Sequence, residues 1–512
     1  MGKRTPRSSK TQATRASVQH GGSLIPLWLL AALIVPRLVR AFYPEIWVED
    51  DQLMENAFAV ARGLRPYLDF SHAQLPVLEW IAGAYVWAIG ASELRMELLN
   101  AAAIYATSVL VFLVAQCAVD RRAAIGAALL YSCSSLVFRY HVWAREYFVS
   151  ACVLAAILLV IDNRAGRWRT AAIVACLSLA CAIKLTAVVS AGVIVVFIGL
   201  GVRQLSRAVA VAAGTSLAMG ALFFWGYWAY GFPFLFQTVL FHFFKGRDLA
   251  RSGFTYPAEL FDALLPLGVL GIAGIWRSAK SPALSVVGLT LGALFLFYGA
   301  LSPTAWGHNY LELLPFLAIL AGAGCVWLIE AYRRSWRSFA VGIAVVTASL
   351  IWVAPFRNEN AERSSVYGFG FVRRRELAEL ASALAAACRP DEEVIAPSFI
   401  AFEANRLPHV RYPENLGVMR ATEADYLAHG FLATRERYGT RSFFEVIDAT
   451  SALWNTLVIS GIAPGGPVNC VILDSSIQFI PLVYATPEAL LDRGFRVRLR
   501  TEHYELWMRP PP

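Results

Sequence analysis

Charge is what this chain has least of. Only 16% of its 512 residues are Asp, Glu, Lys or Arg, 57% are hydrophobic, and the mean hydropathy is +0.53. Soluble domains are nearer half apolar and a quarter charged, so a disordered chain, a secreted disulfide scaffold and a single soluble enzyme domain are excluded. There are eight cysteines and no pair of them has metal-ligand spacing. Six (Cys117, Cys133, Cys152, Cys176, Cys181 and Cys325) lie in apolar runs and read as small core residues. Cys388 and Cys470 stand apart from these; we expect two unpaired buried thiols, able to pair if their region is extracytoplasmic. The chain also lacks a P-loop, a dinucleotide fingerprint and an internal repeat.

What is present is a series of apolar blocks of roughly 17–22 residues, each about one bilayer crossing long. They fall near 24–42, 96–118, 123–140, 147–161, 170–187, 188–202, 208–230, 259–276, 282–301, 311–330 and 338–356. Segment 76–92 is also apolar, but it is short, opens with Pro76 and contains Glu79. Charge decides whether it crosses. The net charge of +9 divides into +11 over residues 1–356 and −2 over 357–512, where lysine is absent. If 76–92 does not cross, the N-terminal tail and the short loops 120–122, 162–169, 202–207, 277–280 and 331–337 put 17 basic residues on the cytoplasmic side. If it does cross, every one of those loops faces outward, against the positive-inside rule. The expected architecture is therefore a polytopic α-helical membrane protein of about eleven transmembrane helices. Residues 1–22 form a basic cytoplasmic tail and 23–356 the membrane domain, whose first outer loop (43–95) holds interfacial helices. Residues 357–512 form a small extracytoplasmic α/β domain. The basic excess belongs to the membrane part, so nucleic acid is not an expected partner.

The same orientation gathers acids outside. Of 17 carboxylates before position 357, only Asp120, Asp162 and Glu330 are cytoplasmic. Glu49, Asp50 and Asp51 directly follow the first span, and mutual repulsion among adjacent carboxylates favours a cation or a shared proton. A plain helix cap by Asp50 or Asp51 is the alternative. Beyond them, Leu53, Ala57, Val60, Ala61 and Leu64 recur at helical spacing, and Gly63 closes an amphipathic helix. Arg65-Pro66-Tyr67-Leu68-Asp69 then turns the chain, and Gln74-Leu75-Pro76 leads into the second interfacial helix.

This order (acidic group, amphipathic helix ending in Gly, "PYLD", "QLP", "GASELR", then a span) resembles the start of the GT-C superfamily of polyprenyl-phosphate-sugar glycosyltransferases. The nearest families are the protein O-mannosyltransferase-like and lipid A aminoarabinose transferases. Arg145-Glu146, Lys184-Leu185-Thr186-Ala187 and His308-Asn309-Tyr310…Pro315 extend the resemblance over about residues 25–330. It implies a membrane glycosyltransferase that takes a sugar from a polyprenyl phosphate at the outer face of the cell membrane and gives it, with inversion, to a hydroxyl on a glycan, lipid or protein. The first-loop acid is then the base: Asp50, with Glu49 and Asp51 as neighbours in register. Glu146 takes the second acidic position, where the family usually has Asp.

Such chemistry needs a carboxylate for the hydroxyl proton, cations for the departing phosphate and an apolar groove for the lipid. Lys184, the one lysine in an apolar run, is a candidate for the phosphate, or else snorkels to the interface. His242, Lys245, Arg247 and Arg251 form a basic aromatic loop that binds either phosphate or anionic headgroups. His308 and Tyr310 are further phosphate donors, Tyr310 alternatively a belt aromatic. Tyr67, Asp69, Gln74 and Arg145 shape the loop or the acceptor site, while Glu146 alternatively pairs with Arg145 or Arg139. No nucleotide is required; whether a metal is used stays open, and a divalent cation, Mg or Mn, if one is used, would sit at Asp50 and Glu146. In the tail, helices are expected at 373–388, 420–460 and 486–493, with strands at 394–400, 468–473 and in a final pair up to Met508. The other functions considered are a transporter or flippase of lipid-linked sugars and a non-catalytic scaffold of the same fold.

Overall fold

The computed structural model describes residues 33–35, 38, 45–47, 51–134, 137, 144–162, 166–244, 258–278, 281–302, 307–334, 371–409, 413–439, 441, 445–446, 456, 458–474 and 486–510. The first expected span is therefore seen only at 33–35 and 38, and the last, 338–356, lies outside the described residues.

The apolar blocks between them are helices. They are α3 (Glu93–Ala118), α4 (Arg121–Ser132), α5 (Arg145–Ile161), α6 (Arg167–Ile183), α7 (Val188–Val196), α8 (Leu205–Tyr230), α10 (Ala258–Ser278), α11 (Pro282–Leu296) and α12 (Leu314–Arg334). Short π-turns, Phe197–Gly201 and Phe297–Leu301, extend α7 and α11. Among the described helices α3, α8, α11 with its π-turn, and α12 are long and apolar enough to cross a membrane. Tight turns at one end set the order. The Asp120 carboxylate accepts from Ala123 N (2.8 Å) and caps α4. Ser281 Oγ donates to the Ala118 carbonyl (3.1 Å), tying the start of α11 to that turn.

Small residues let the helices approach closely, as membrane bundles require. A Cβ at Gly324 of α12 would collide with the Leu270 carbonyl of α10, and one at Gly274 of α10 with the Leu320 carbonyl of α12. Outward-facing Leu217, Phe224 and Trp228 of α8 are largely exposed, and a bilayer suits them.

In the first outer loop, β1 (Glu45–Trp47) precedes α1 (Asp51–Ala61), and α2 (Val77–Ile89) follows. At about 20 Å, α2 is too short to cross. The helices pack tightly: a Cβ at Gly83 would fall 2.6 Å from Val60 Cγ1 and 3.1 Å from the Ala57 carbonyl oxygen. α1 is not the surface helix its periodicity predicts. Residues 54–59 are all buried, including Glu55 and Asn56 on the polar face. The C-terminal region covers that face.

This region holds β2 (Phe371–Arg373), α13 (Arg374–Ala387), β3 (Glu393–Val394), α14 (Ser398–Glu403), β4 (Leu407–Pro408), α15 (Pro413–Tyr438), β5 (Cys470–Asp474), α16 (Pro487–Asp492), β6 (Arg496–Arg500) and β7 (Tyr504–Met508). β5, β7 and β6 form an antiparallel sheet in that order, β3 and β4 pair in parallel, and an Ile395–Val471 bridge links the two. The expected strand at 394–400 is cut short. After Pro397 the chain coils into α14, which packs on α1: Ser398 Oγ donates to Glu55 Oε2 (2.6 Å) and Phe402 meets Phe58 edge-on. Cys388 and Cys470 form a disulfide with Cα atoms 6.5 Å apart, in place of the two expected thiols. Spacing along the chain, 82 residues, hides a pairing that the fold makes by bringing Cys388, just past the end of α13, against Cys470 at the start of β5. The tail also joins the first loop directly. β2 pairs antiparallel with β1, Glu45 opposite Arg373, and Arg374 forms ion pairs with Glu93 and Glu97 at the start of α3.

Candidate functional site

Chain ends at one face of the bundle carry a buried polar cluster. α5 opens with Arg145 and Glu146. α6 stops at Ile183, so Lys184 is extended and heads a one-turn 3-10 helix, Leu185–Ala187. The π-turn after α11 supplies Tyr298, and a 3-10 turn before α12, Gly307–Glu312, supplies Asn309 and Glu312. Lys184 Nζ lies 2.6 Å from Glu146 Oε1, 2.8 Å from Glu312 Oε1, 2.8 Å from Asn309 Oδ1 and 3.4 Å from the Tyr298 hydroxyl. Tyr298 in turn donates to Thr186 Oγ1 at 3.3 Å. All the charged members are buried, and Lys184 is 6% exposed. With both carboxylates ionised, the trio around the one ammonium carries one negative charge in excess. His308, half-buried on the same 3-10 turn, stands in electrostatic range of Glu146.

A second cluster adjoins it through the 145–146 peptide. Arg145 Nη2 binds Glu79 Oε1, and Glu79 Oε2 lies 3.2 Å from His72 Nε2. His72 Nδ1 meets Asn56 Nδ2 at 3.1 Å, and the His72 backbone N–H donates to Gln237 Oε1 (2.9 Å) on α9 (Phe232–Thr238). Gln237 Nε2 donates to the Tyr67 carbonyl (3.2 Å).

The turn between α1 and α2 is shaped by three of the expected residues. Asp69 Oδ2 accepts from the Arg65 backbone N–H (2.7 Å) and side-chain Nε (3.1 Å). Tyr67 has φ 69°, a strained value for a bulky residue. It is held there by its hydroxyl, which donates to the Gln74 carbonyl (2.6 Å), and by Phe234, edge-on at 5.2 Å. Burial, followed by the Glu79 charge, raises the Tyr67 phenol well above its usual range, so it remains a donor.

The fold these elements build has solved counterparts. ArnT from Cupriavidus metallidurans, bound to undecaprenyl phosphate, superposes with a TM-score of 0.58 at 16% identity, covering 94% of this chain and 97% of that one. The oligosaccharyltransferase AglB from Archaeoglobus fulgidus, in complex with an inhibitory peptide and a dolichol-phosphate, gives 0.50 at 12% identity, over 94% and 74%. An oligosaccharyltransferase from Archaeoglobus fulgidus tethered with an acceptor peptide gives 0.51 at 12% identity, over 94% and 73%. This chain has the GT-C fold. No family profile and no curated sequence matches it.

On that fold the structure brings Glu146, Lys184 and Tyr310 together, with His308 beside them and Arg145 one residue away. Tyr310 is fully buried, its ring 6.0 Å from that of Tyr298, and so is not a belt aromatic. Arg145 pairs with Glu79, and Glu146 with Lys184, so the alternative pairing of Glu146 with Arg145 does not form; Arg139 lies outside the described residues. Glu49, Asp50, Lys245 and Arg247 lie outside the described residues; Asp51 opens α1. Sequence reasoning missed Glu312 and the partnership of Glu79 with His72. An acid inside an apolar run was the available signal for both. Among the described residues no group of three or more His, Cys, Asp or Glu is arranged to hold a metal, and the Glu146 carboxylate already holds an ammonium. The described donors therefore do not fit a divalent cation.

Proposed function

We propose that this protein is a membrane glycosyltransferase that moves a sugar from a polyprenyl-phosphate donor to an acceptor hydroxyl at the outer face of the cell membrane. Support comes from one observation above all. The GT-C likeness spans 94% of the chain, and ArnT and AglB, the enzymes it matches, were captured with undecaprenyl phosphate and dolichol-phosphate. The acceptor oxygen attacks C1, the bond from C1 to the phosphate oxygen breaks, and lipid phosphate leaves. One displacement inverts C1. The hydroxyl proton passes to a first-loop carboxylate, Asp50 in our reading, with Glu49 and Asp51 beside it.

Lys184 takes a different role from the one its isolation in the sequence predicts. A phosphate placed on it would join a trio already in negative excess, at a cost in a low-dielectric site. We assign it instead to holding Glu146 and Glu312 toward the sugar or acceptor hydroxyls, and leave the departing phosphate to His308 and the loop of Lys245 and Arg247. The bundle end with the polar cluster, and the C-terminal region covering it, face outward; the disulfide fits that oxidising side. Residues 1–22 remain cytoplasmic.

The test is transfer of radiolabelled sugar from polyprenyl phosphate in membranes containing the full chain. Asp50→Asn abolishes transfer while insertion is retained; Asp51→Asn and Glu49→Gln, assayed alongside, fix the register. Normal transfer by all three moves the base elsewhere, and movement of intact donor lipid across vesicles without transfer favours the flippase.

A further inference from the structure

Glu79 is the most thoroughly enclosed carboxylate near the site, and the proposed chemistry gives it no task. It is 0% exposed in the first turn of the apolar helix α2, and His72, its partner in the preceding turn, is likewise 0% exposed. Both of its oxygens are engaged, one by Arg145 and one by His72 at 3.2 Å. These two partners lead in opposite directions. Through His72 the chain of contacts reaches Asn56 (3.1 Å), one turn and a half along α1 from Asp51. Through Arg145 it reaches Glu146, the next residue, and so the Lys184 ammonium at 2.6 Å.

A buried ion pair is a poor way to gain stability. Taking the charges out of water costs several kcal/mol per ion, and apolar replacements of similar volume are often as stable. What such a group does supply is direction, because hydrogen bonds and ion pairs fix relative placement where apolar packing tolerates slippage. Glu79 lies where three segments meet: α1, the turn at His72, and the first turn of α5. Glu79 joins Asn56 and His72 to the Arg145–Glu146 end.

We propose that Glu79 is a positioning residue that sets α1 and the Glu146–Lys184–Glu312 cluster in one fixed register. This rests on the glycosyltransferase reading for its kinetic consequence, though not for its structural one. Effective catalysis demands placement to a fraction of an ångström, and a shift of about 1 Å costs on the order of 100-fold.

The experiment compares full-length wild type, Glu79→Gln and Asn56→Ala, each in detergent or nanodiscs, by donor-dependent transfer and by hydrogen–deuterium exchange. Glu79→Gln keeps the shape and removes the charge; Asn56→Ala breaks the far end of the chain and strands no charge, so it serves if Glu79→Gln fails to fold. The expected kcat falls about 10- to 100-fold per folded molecule, with KM for the lipid donor within about twofold. Amides of both 51–61 and 145–150 exchange faster in the variants. Unchanged kcat per folded molecule in both variants, or faster exchange confined to one of the two segments, overturns the proposal. If the wild type transfers no sugar yet both segments loosen together, the positioning role stands and the glycosyltransferase reading fails.

Discussion

Lys184 shows how much of a single residue's meaning comes from its neighbours. The sequence marks it as the one ammonium in an apolar run; the fold surrounds it with Glu146, Glu312, Asn309 and Tyr298. Removing it leaves two buried carboxylates facing each other. Lys184→Met is therefore expected to destabilise the protein by about 3–5 kcal/mol, the usual cost of stranding a buried charge, seen as a lower melting temperature in detergent. Adding Glu146→Gln and Glu312→Gln to that variant restores most of the loss, because no charge then remains to be stranded. A triple variant as unstable as the single one assigns the loss to packing around the lysine stem. The position of Lys184 at a helix end could be read from Lys-Leu-Thr-Ala between two apolar blocks. Its partners could not, since Glu312 lies 128 residues away by the numbering and nothing local links the two.

At the scale of elements, the apolar blocks between 93 and 334 were legible because length and hydropathy alone demand helices there. The shortness of α2 was legible in segment 76–92, but Pro76 and Glu79 left its crossing open, and only the basic loops argued that it does not cross. α1 was misjudged for a physical reason. An amphipathic pattern reports two chemically different faces but not what covers the polar one, and here α14 covers it with Ser398 on Glu55. The α1–α2 contact gives a direct test. Gly83→Val places two methyl groups where Val60 and the Ala57 carbonyl already sit. Overpacking of this kind costs about 1–3 kcal/mol, and transfer activity should fall with it, because α1 begins at Asp51, next in sequence to the carboxylate we propose as the base. Thermal melting and turnover measured on one preparation check both; a variant with unchanged melting shows that the loop gives way.

For the molecule as a whole, the C-terminal region is fastened to the membrane part by β1–β2, by Arg374 on Glu93 and Glu97, and by α14 on α1. Its own fold depends on pH through Glu376. Burial raises that carboxyl, but bonds from the Thr501 hydroxyl (2.5 Å) and the His503 backbone (2.9 Å) and ring (3.0 Å) outweigh it and hold the group below its ordinary 4.5. A lowered folded value means that the stabilisation is complete above about pH 4.5 and is lost as pH falls through the lower folded value. The melting temperature of the full protein should drop between pH 5 and pH 3, more steeply for wild type than for Glu376→Gln; equal slopes put the acid sensitivity elsewhere.

The pairing of Glu45–Trp47 with Phe371–Arg373 also has a temporal consequence. The first of these strands leaves the ribosome long before the second exists. At 5–20 residues per second the wait between positions 47 and 371 is on the order of half a minute. During that interval β1 has no partner strand, so the first outer loop waits without the C-terminal region that covers it. The junction between the two parts therefore closes only after residue 373 has been made.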